Sequence, residues 1–185
     1  MSRSDIRIET ERLVLRLPRA EDFGRYAELY ASEEASRFIG GTMPRAAAWR
    51  KFLQMPGAWA VQGFAMFSVE EKSSGLWLGQ MGPWRPDGWP GNEIGYAFHP
   101  DAWGRGYAME SAVASIDWAF AQLGWNDIIH CIDPDNLPSQ KVAQRLGSTL
   151  KGPGRLPEPF QDHPVRIWGQ PREQWLARRA QERQP

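Results

Sequence analysis

The stretch "DAWGRGYAMES" (101–111) sets Gly104 and Gly106 around Arg105 at the point where a helical pattern begins. Glycine in a helix costs about 1 kcal/mol relative to alanine, so bare backbone at a helix start needs a reason. A helix N-terminus presents unpaired N–H groups and a partial positive charge, which together make an anion site. Glycine lets an anion reach those groups without meeting a Cβ atom. The chemistry this turn could do is therefore phosphate binding. The plain alternative is a tight turn whose glycines only permit close packing, and for an isolated G-x-G it is the commoner outcome. No Gly-Lys-Ser/Thr follows, so the turn is not a Walker loop. It is not a dinucleotide fingerprint either, because the third glycine of G-x-G-x-x-G would fall at Met109.

Few other residues carry reactive chemistry at a telling spacing. His99, His130 and His163 are dispersed, no metal-ligand spacing links them, and no metal is expected. Cys131 is the only cysteine, which leaves no disulfide framework or multi-cysteine metal site within the chain. A nucleophilic role for its thiol needs an adjacent base, and the sequence shows no sign of one. A buried thiol is the expectation.

The elements that position the turn are legible as patterns. "NEIGYAFHP" (92–100) is an apolar strand leading into it. After Gly106, Met109, Ala112, Val113, Ile116, Ala119, Phe120 and Leu123 form one apolar helical stripe, closed by Gly124. "DIIHCID" (127–133) is a nearly continuous apolar run, as expected of a strand buried on both faces. Residues 92–133 thus form a strand–helix–strand unit, which calls for parallel strands and a right-handed crossover. The glycine turn lies at the carboxyl end of its first strand, where open α/β sheets bind ligands.

Around this unit, "RLVLRL" (12–17) is a first strand, and Phe23, Tyr26, Leu29 and Tyr30 share one face of a following helix. A second short helix covers Arg45–Gln54 and stops before Pro56. "GFAMFSVEE" (63–71) and "LWLGQMGPW" (76–84) form a hairpin across "KSSG". Pro138–Leu146 is a short helix ended by Gly147, "STLKG" and "VRIWGQ" are late strands, and a polar, Arg-rich helix (172–183) finishes the chain. Helices interrupting a sheet that also has hairpins predict an α/β fold with a mixed sheet of about seven strands. No repeat or linker divides residues 1–185, so one domain is expected.

Composition bounds the function. Lys+Arg and Asp+Glu are 22 each, and a formal net charge of zero argues against a dedicated nucleic-acid binder. The segment "MSRSDIRIETERLVLR" has no apolar core of signal-peptide type, and no stretch approaches membrane-spanning length, so the cytoplasm is the expected location. Ten tryptophans exceed what a small domain needs for packing. Some should line a groove, and exposed tryptophan is compatible with a homodimer.

"NEIGYAFHPDAWGRGYAMESA" resembles the acyl-CoA-binding motif of the GNAT acetyltransferases, in which a strand leads into (Gln/Arg)-x-x-G-x-(Gly/Ala). The tryptophan before the first glycine and the "GYA-x-E" after it resemble the ribosomal-protein N-terminal acetyltransferase (RimJ/RimL-like) branch. "IETERLVLRLPRAEDF" is similar to that branch's opening, "GLWLGQMG" to its third strand, and "IDPDNLPSQKVAQRLG" to its second cofactor motif, with Asn136 and Ser139 as N-x-x-S. There are departures. Asp101 stands at the Gln/Arg position, Ser148 replaces the aromatic after the helix-ending glycine, and the tyrosine of other branches falls at Ala143.

The resemblance implies a direct acetyl transfer from acetyl-CoA to an amine acceptor, a protein N-terminus or a small molecule. Backbone amides of Trp103, Gly104, Arg105, Gly106, Tyr107 and Ala108 would hold the pyrophosphate, with Asp101 turned away. Pantetheine would lie along strand 92–98, using backbone around Ala97 and Phe98, with an N–H near Phe98 polarising the thioester carbonyl. Glu93 is the candidate base, although a solvated or ion-paired glutamate is an equal alternative. Ser139 would protonate the departing thiolate or cap its helix, and Asn136 would bond the cofactor arm or serve its turn. Trp84, Trp89 and Phe160, together with Trp49 and Trp59, are candidate walls of the acceptor site. The competing reading is an acyl-CoA-binding sensor or interaction module without turnover.

Overall fold

The computed structural model describes residues 6–182, so the reading of the N-terminus in part, and the last residue of the 172–183 helix, lie outside the described residues. Eight strands form one sheet: β1 (Arg7–Glu9), β2 (Leu13–Arg16), β3 (Phe67–Glu71), β4 (Trp77–Trp84), β5 (Glu93–Phe98), β6 (Asp127–Ile132), β7 (Thr149–Gly154) and β8 (Val165–Pro171). Their order is β1-β2-β3-β4-β5-β6-β8-β7, and every neighbouring pair is antiparallel except β5 and β6. The extra strand is β1. Its sequence, Arg-Ile-Glu, is short and mostly exposed at a sheet edge, so it carries almost no hydrophobic pattern to read.

The helices are α1 (Phe23–Ala31), α2 (Glu33–Ser36), α3 (Arg45–Phe52), α4 (Gln54–Gln62), α5 (Tyr107–Trp118), α6 (Leu137–Arg145) and α7 (Arg172–Glu182). A single π-turn (Ala119–Leu123) continues α5 to the left-handed Gly124, where the stripe was expected to close. Helical structure does not stop before Pro56. The chain bends at Leu53 and a new helix starts, with Pro56 in its first turn, where a missing N–H costs nothing.

Alternation along the strands divides the core. Leu78, Ile94 and Phe98 join a cluster with Phe67, Ile116 and Trp59 under α4 and α5. Their neighbours Trp77 and Ala97 face the other way, into a cluster with Tyr26, Leu29, Tyr30 and Phe52 under α1 and α3. Burying each such large apolar side chain contributes about 2 kcal/mol. The central strands are thereby covered on both faces, while the edge strands β1 and β7 stay largely exposed.

Candidate active site

The two parallel strands share a single register pair, Glu93 opposite Ile129, with the Ile129 N–H donating to the Asn92 carbonyl at 2.9 Å. Beyond that vertex they part, and a cavity of about 800 Å³ opens between them. This explains why β6 is not buried on both faces as its composition suggested. Cys131 is half-buried and lines the cleft together with the buried His130 and Ile132, while Ile128 faces the core and the half-buried Ile129 packs beside Gly91 and Gly169.

The pleat decides which backbone groups of β5 reach the gap. The His99 N–H donates to the Leu78 carbonyl at 2.8 Å, and Ala97 is registered with Gln80. Odd-numbered residues therefore turn their amides and carbonyls to β4, and even-numbered ones turn theirs to the gap. Ala97 is thus corrected as a backbone contact: Tyr96 and Phe98 hold the free-facing amides. The Phe98 carbonyl is taken by the Trp103 indole N–H at 2.9 Å, and the Ile94 carbonyl lies 2.8 Å from His130 Nδ1.

Glu93 is buried at the vertex. Its Oε1 accepts from the Cys131 N–H at 3.1 Å, and its Oε2 from the Trp89 indole at 2.6 Å. Burial pushes its carboxyl up to about 7, against the opposing pull of those two donors. Trp89 was expected as an acceptor wall; it lines the cavity and also fixes the carboxylate, with Trp84 packed edge-on at 6.5 Å. The thiol of Cys131 is pushed far up by burial and by Glu93, so it stays protonated.

Across the gap, Asn136 and not Ser139 caps α6, its side chain accepting from the Ser139 N–H at 3.2 Å. The Ser139 hydroxyl meets the Tyr96 hydroxyl at 2.9 Å instead, and this pair spans the split between β5 and α6. Tyr96 carried no motif signal. Only the parting of the strands brings it to Ser139, and the buried Ala143 offers no hydroxyl nearby.

At the glycine turn, Gly104 and Gly106 have φ of +71° and +80°, a conformation that side chains rarely adopt. A Cβ on Gly104 would meet nothing within 4 Å, and one on Gly106 would meet only the Arg12 guanidinium at 3.4 Å. The first backbone donor to the turn from α5 is Glu110, to the Gly106 carbonyl at 3.1 Å, which leaves Tyr107, Ala108 and Met109 amides without an intrahelical acceptor. Trp103 differs from the expectation: its amide closes the preceding turn on Pro100 at 3.0 Å. The Arg105 guanidinium and the Tyr107 hydroxyl are likewise turned to Glu71, although the Arg105 side chain stays half exposed. Asp101 points away, paired with Arg25 at 3.0 Å.

Phe160 and Trp84 line the cavity, whereas Trp59 and Trp49 do not. Trp59 is core, with its indole on the Met66 carbonyl at 3.1 Å, and Trp49 packs outside on Phe23 at 4.7 Å. Ser148, in place of an aromatic, lies 3.2 Å from both His130 Nε2 and the Gln170 amide, a buried polar link the sequence did not reveal. Burial holds His130 below its ordinary pKa and keeps it neutral. Among the described residues no group of His, Cys, Asp or Glu could hold a metal.

A family model described as an acetyltransferase (GNAT) domain matches residues 12–149. The chain belongs to the GNAT acetyltransferase family. This GNAT chain is 30% identical to N-acetyltransferase p20 of Bacillus licheniformis over 146 residues, covering 77% of this chain and 82% of that protein. It is 37% identical to YkkB of Bacillus subtilis over 87 residues, 46% of this chain and only 51% of that protein, so the match spans about half of that relative's length. The acetyltransferase structure from Agrobacterium tumefaciens superimposes with a TM-score of 0.80 at 30% identity, covering 90% of this chain and 95% of that one. A ribosomal-protein-S5-alanine acetyltransferase from Vibrio fischeri shares the fold at a TM-score of 0.69 and 18% identity, covering 92% and 99%. The mixed sheet is therefore the GNAT architecture, as the motif resemblance implied. No helix among the described residues is long and apolar enough to cross a membrane.

Proposed function

We propose that this GNAT protein is an acetyl-CoA-dependent N-acetyltransferase that moves an acetyl group to a primary amine by direct attack in a ternary complex. The observation that carries this reading is Glu93, buried at the vertex of the split with its pKa raised to about 7 and both oxygens held by donors. An acceptor amine attacks only when neutral, yet a free lysine titrates near about 10.4 and a terminal amine at about 8. A carboxylate that titrates near neutral pH suits removal of that proton.

The residues present fit acetyl-CoA. The outward amides of 104–109, on bare glycine backbone, suit a pyrophosphate, and the gap-facing edge of β5 suits an extended pantetheine arm. When bound, acetyl-CoA supplies the activated acetyl group. The Phe98 N–H is aimed into the gap, where it would receive the charge developing on the carbonyl oxygen; a donor of this kind is worth about 3 kcal/mol. Glu93 takes the proton from the attacking nitrogen. Ser139, whose oxygen is engaged by the Tyr96 hydroxyl, gives its proton to the departing sulfur and regains one from Tyr96 or water.

Thiol release from acetyl-CoA, measured against amines and N-terminal peptides, tests this reading. Turnover that falls steeply in Glu93→Gln supports it. Tight CoA binding with no turnover on any amine would assign the protein as an acyl-CoA-binding module instead.

A further inference from the structure

The acceptor half of the cavity contains a cation that the chemistry above does not use. Lys51, in the last turn of α3, lines the cavity, with its ammonium 5.3 Å from the ring centre of Tyr30 and 6.0 Å from that of Phe160. Gly40 closes a third side, where a Cβ would sit 3.7 Å from Nζ. The acids that line the same cavity are Glu93, Asp87, Asp133 and Glu158. None of them pairs with Lys51: Glu93 is held by Trp89 and Cys131, Asp133 turns an oxygen to the Asp135 N–H at 2.8 Å, and Asp87 and Glu158 are exposed.

A lysine in this position is unusual. Its stem can lie along apolar surface while its head reaches water, but here aromatic rings surround the head itself. Burial lowers its pKa, and no neighbouring acid counters that effect. A half-buried ammonium with rings beside it and no acid partner is costly to maintain, and a ligand that brings a carboxylate to it reduces that cost. A phosphate suits the place less well: Arg37, which also lines the cavity, is exposed and lies over the Phe38 ring at 5.0 Å, so no second buried cation accompanies Lys51.

We propose that the acceptor carries a carboxylate besides its amine, with Lys51 as the ligand of the carboxylate and Glu93 facing the amine. The proposal rests on the amine-acetylation reading and narrows it to amino acids or acid-bearing amines. Polycationic acceptors are disfavoured by the same charge.

The full-length protein with acetyl-CoA is assayed against glycine, 3-aminopropanoate, 4-aminobutanoate and 6-aminohexanoate, each beside its primary amide. One chain length should show kcat/KM favouring acid over amide by about tenfold or more, and Lys51→Met should bring that ratio to about 1, while Lys51→Arg retains the preference. Equal rates for acids and amides, or a preference that survives Lys51→Met, would overturn the proposal. So would turnover of other amines with none in this series, which leaves the acetyltransferase reading standing. Calorimetry on the CoA-loaded protein, with the N-acetylated acids and their amides as probes, gives a readout that does not need turnover. Binding of the acids that is no tighter than that of the amides would refute the role of Lys51 there. A thermal melt of each variant separates loss of binding from loss of fold.

Discussion

At the residue scale the site is governed by one carboxyl group and its desolvation. Glu93 titrates near about 7 because burial outweighs the two hydrogen bonds it accepts. Its basic form grows as pH rises through that value, so kcat/KM should climb through about pH 7, and Glu93→Gln should lose this limb with a fall of about 100-fold on the plateau. The same shift has a stability consequence of definite sign. A carboxyl whose folded-state pKa lies above its unfolded value favours folding when protonated. That contribution is complete below the ordinary value of 4.5 and is lost as pH rises through about 7. The loss is about 3 kcal/mol, and Glu93→Gln should flatten it, as denaturant titrations at acidic and alkaline pH would show. Tyr96 acts on Ser139 through their 2.9 Å contact. Tyr96→Phe should lower kcat about tenfold with little change in KM for acetyl-CoA, and adding it to Ser139→Ala should cost little more, because the two hydroxyls work as a unit.

At the scale of elements, the proposed acetyl-CoA site would divide the cofactor between the glycine turn and the gap-facing edge of β5. Both glycines are held at positive φ, so substitution there strains the backbone whatever binds. Strain and ligand clash can be separated. Gly75, in the β3–β4 turn, has φ of +68° and open space around its Cβ position, as does Gly104 at +71°. Gly104→Ala and Gly75→Ala should each destabilise the fold by about 1 kcal/mol, while only the first weakens CoA binding. Isothermal titration beside thermal melts makes that comparison. Gly106→Val adds branching to the same strain and should lose both stability and affinity. Glu110, in the first turn of α5, accepts from Arg12 Nε at 2.7 Å and Thr10 Oγ1 at 2.5 Å, tying this helix start to the turn between β1 and β2. The acid in the "GYA-x-E" sequence thus anchors the helix start through Thr10 and Arg12.

At the scale of the whole molecule, the acceptor-side helices must be fixed to the sheet for the cavity to keep its shape. A buried cluster does this. Asp22, just before α1, accepts from Arg16 at 2.7 and 2.9 Å, from Ser68 Oγ at 2.6 Å and from the Arg19 N–H at 2.9 Å. Removing Asp22 takes two hydrogen bonds from the buried Arg16 and the acceptor from the buried Ser68 hydroxyl, leaving Arg16 with Glu70 and the Leu17 carbonyl, so Asp22→Ala should cost about 3 kcal/mol in denaturant unfolding. Arg25 extends the linkage, donating to the Trp77 carbonyl at 2.8 Å and pairing with Asp101 at the start of the glycine turn. An acid at that position is therefore accommodated by a cation from α1 and points away from the glycine turn.

Sequence alone determined the local features of this protein. The apolar stripe of α5, the β3–β4 hairpin, the strand–helix–strand order and the two-glycine helix start all rest on periodicity or on φ preferences set within a few residues. The GNAT motifs are of the same kind, and Glu93 and Ser139 were reached through them. Tertiary structure alone decided what depends on strands meeting from distant parts of the chain. That β5 and β6 pair only at Glu93 and Ile129 follows from how two sheet faces pack, and it is this split that makes Glu93 buried and sets Tyr96 against Ser139. The same split exposes one side of β6, although its composition promised burial on both. Nothing in the sequence singles out Lys51, since its surroundings come from α1, the loop at Gly40 and the segment at Phe160. Residue type and spacing dictate which groups are available; desolvation, which sets their reactivity, is a property of the closed fold.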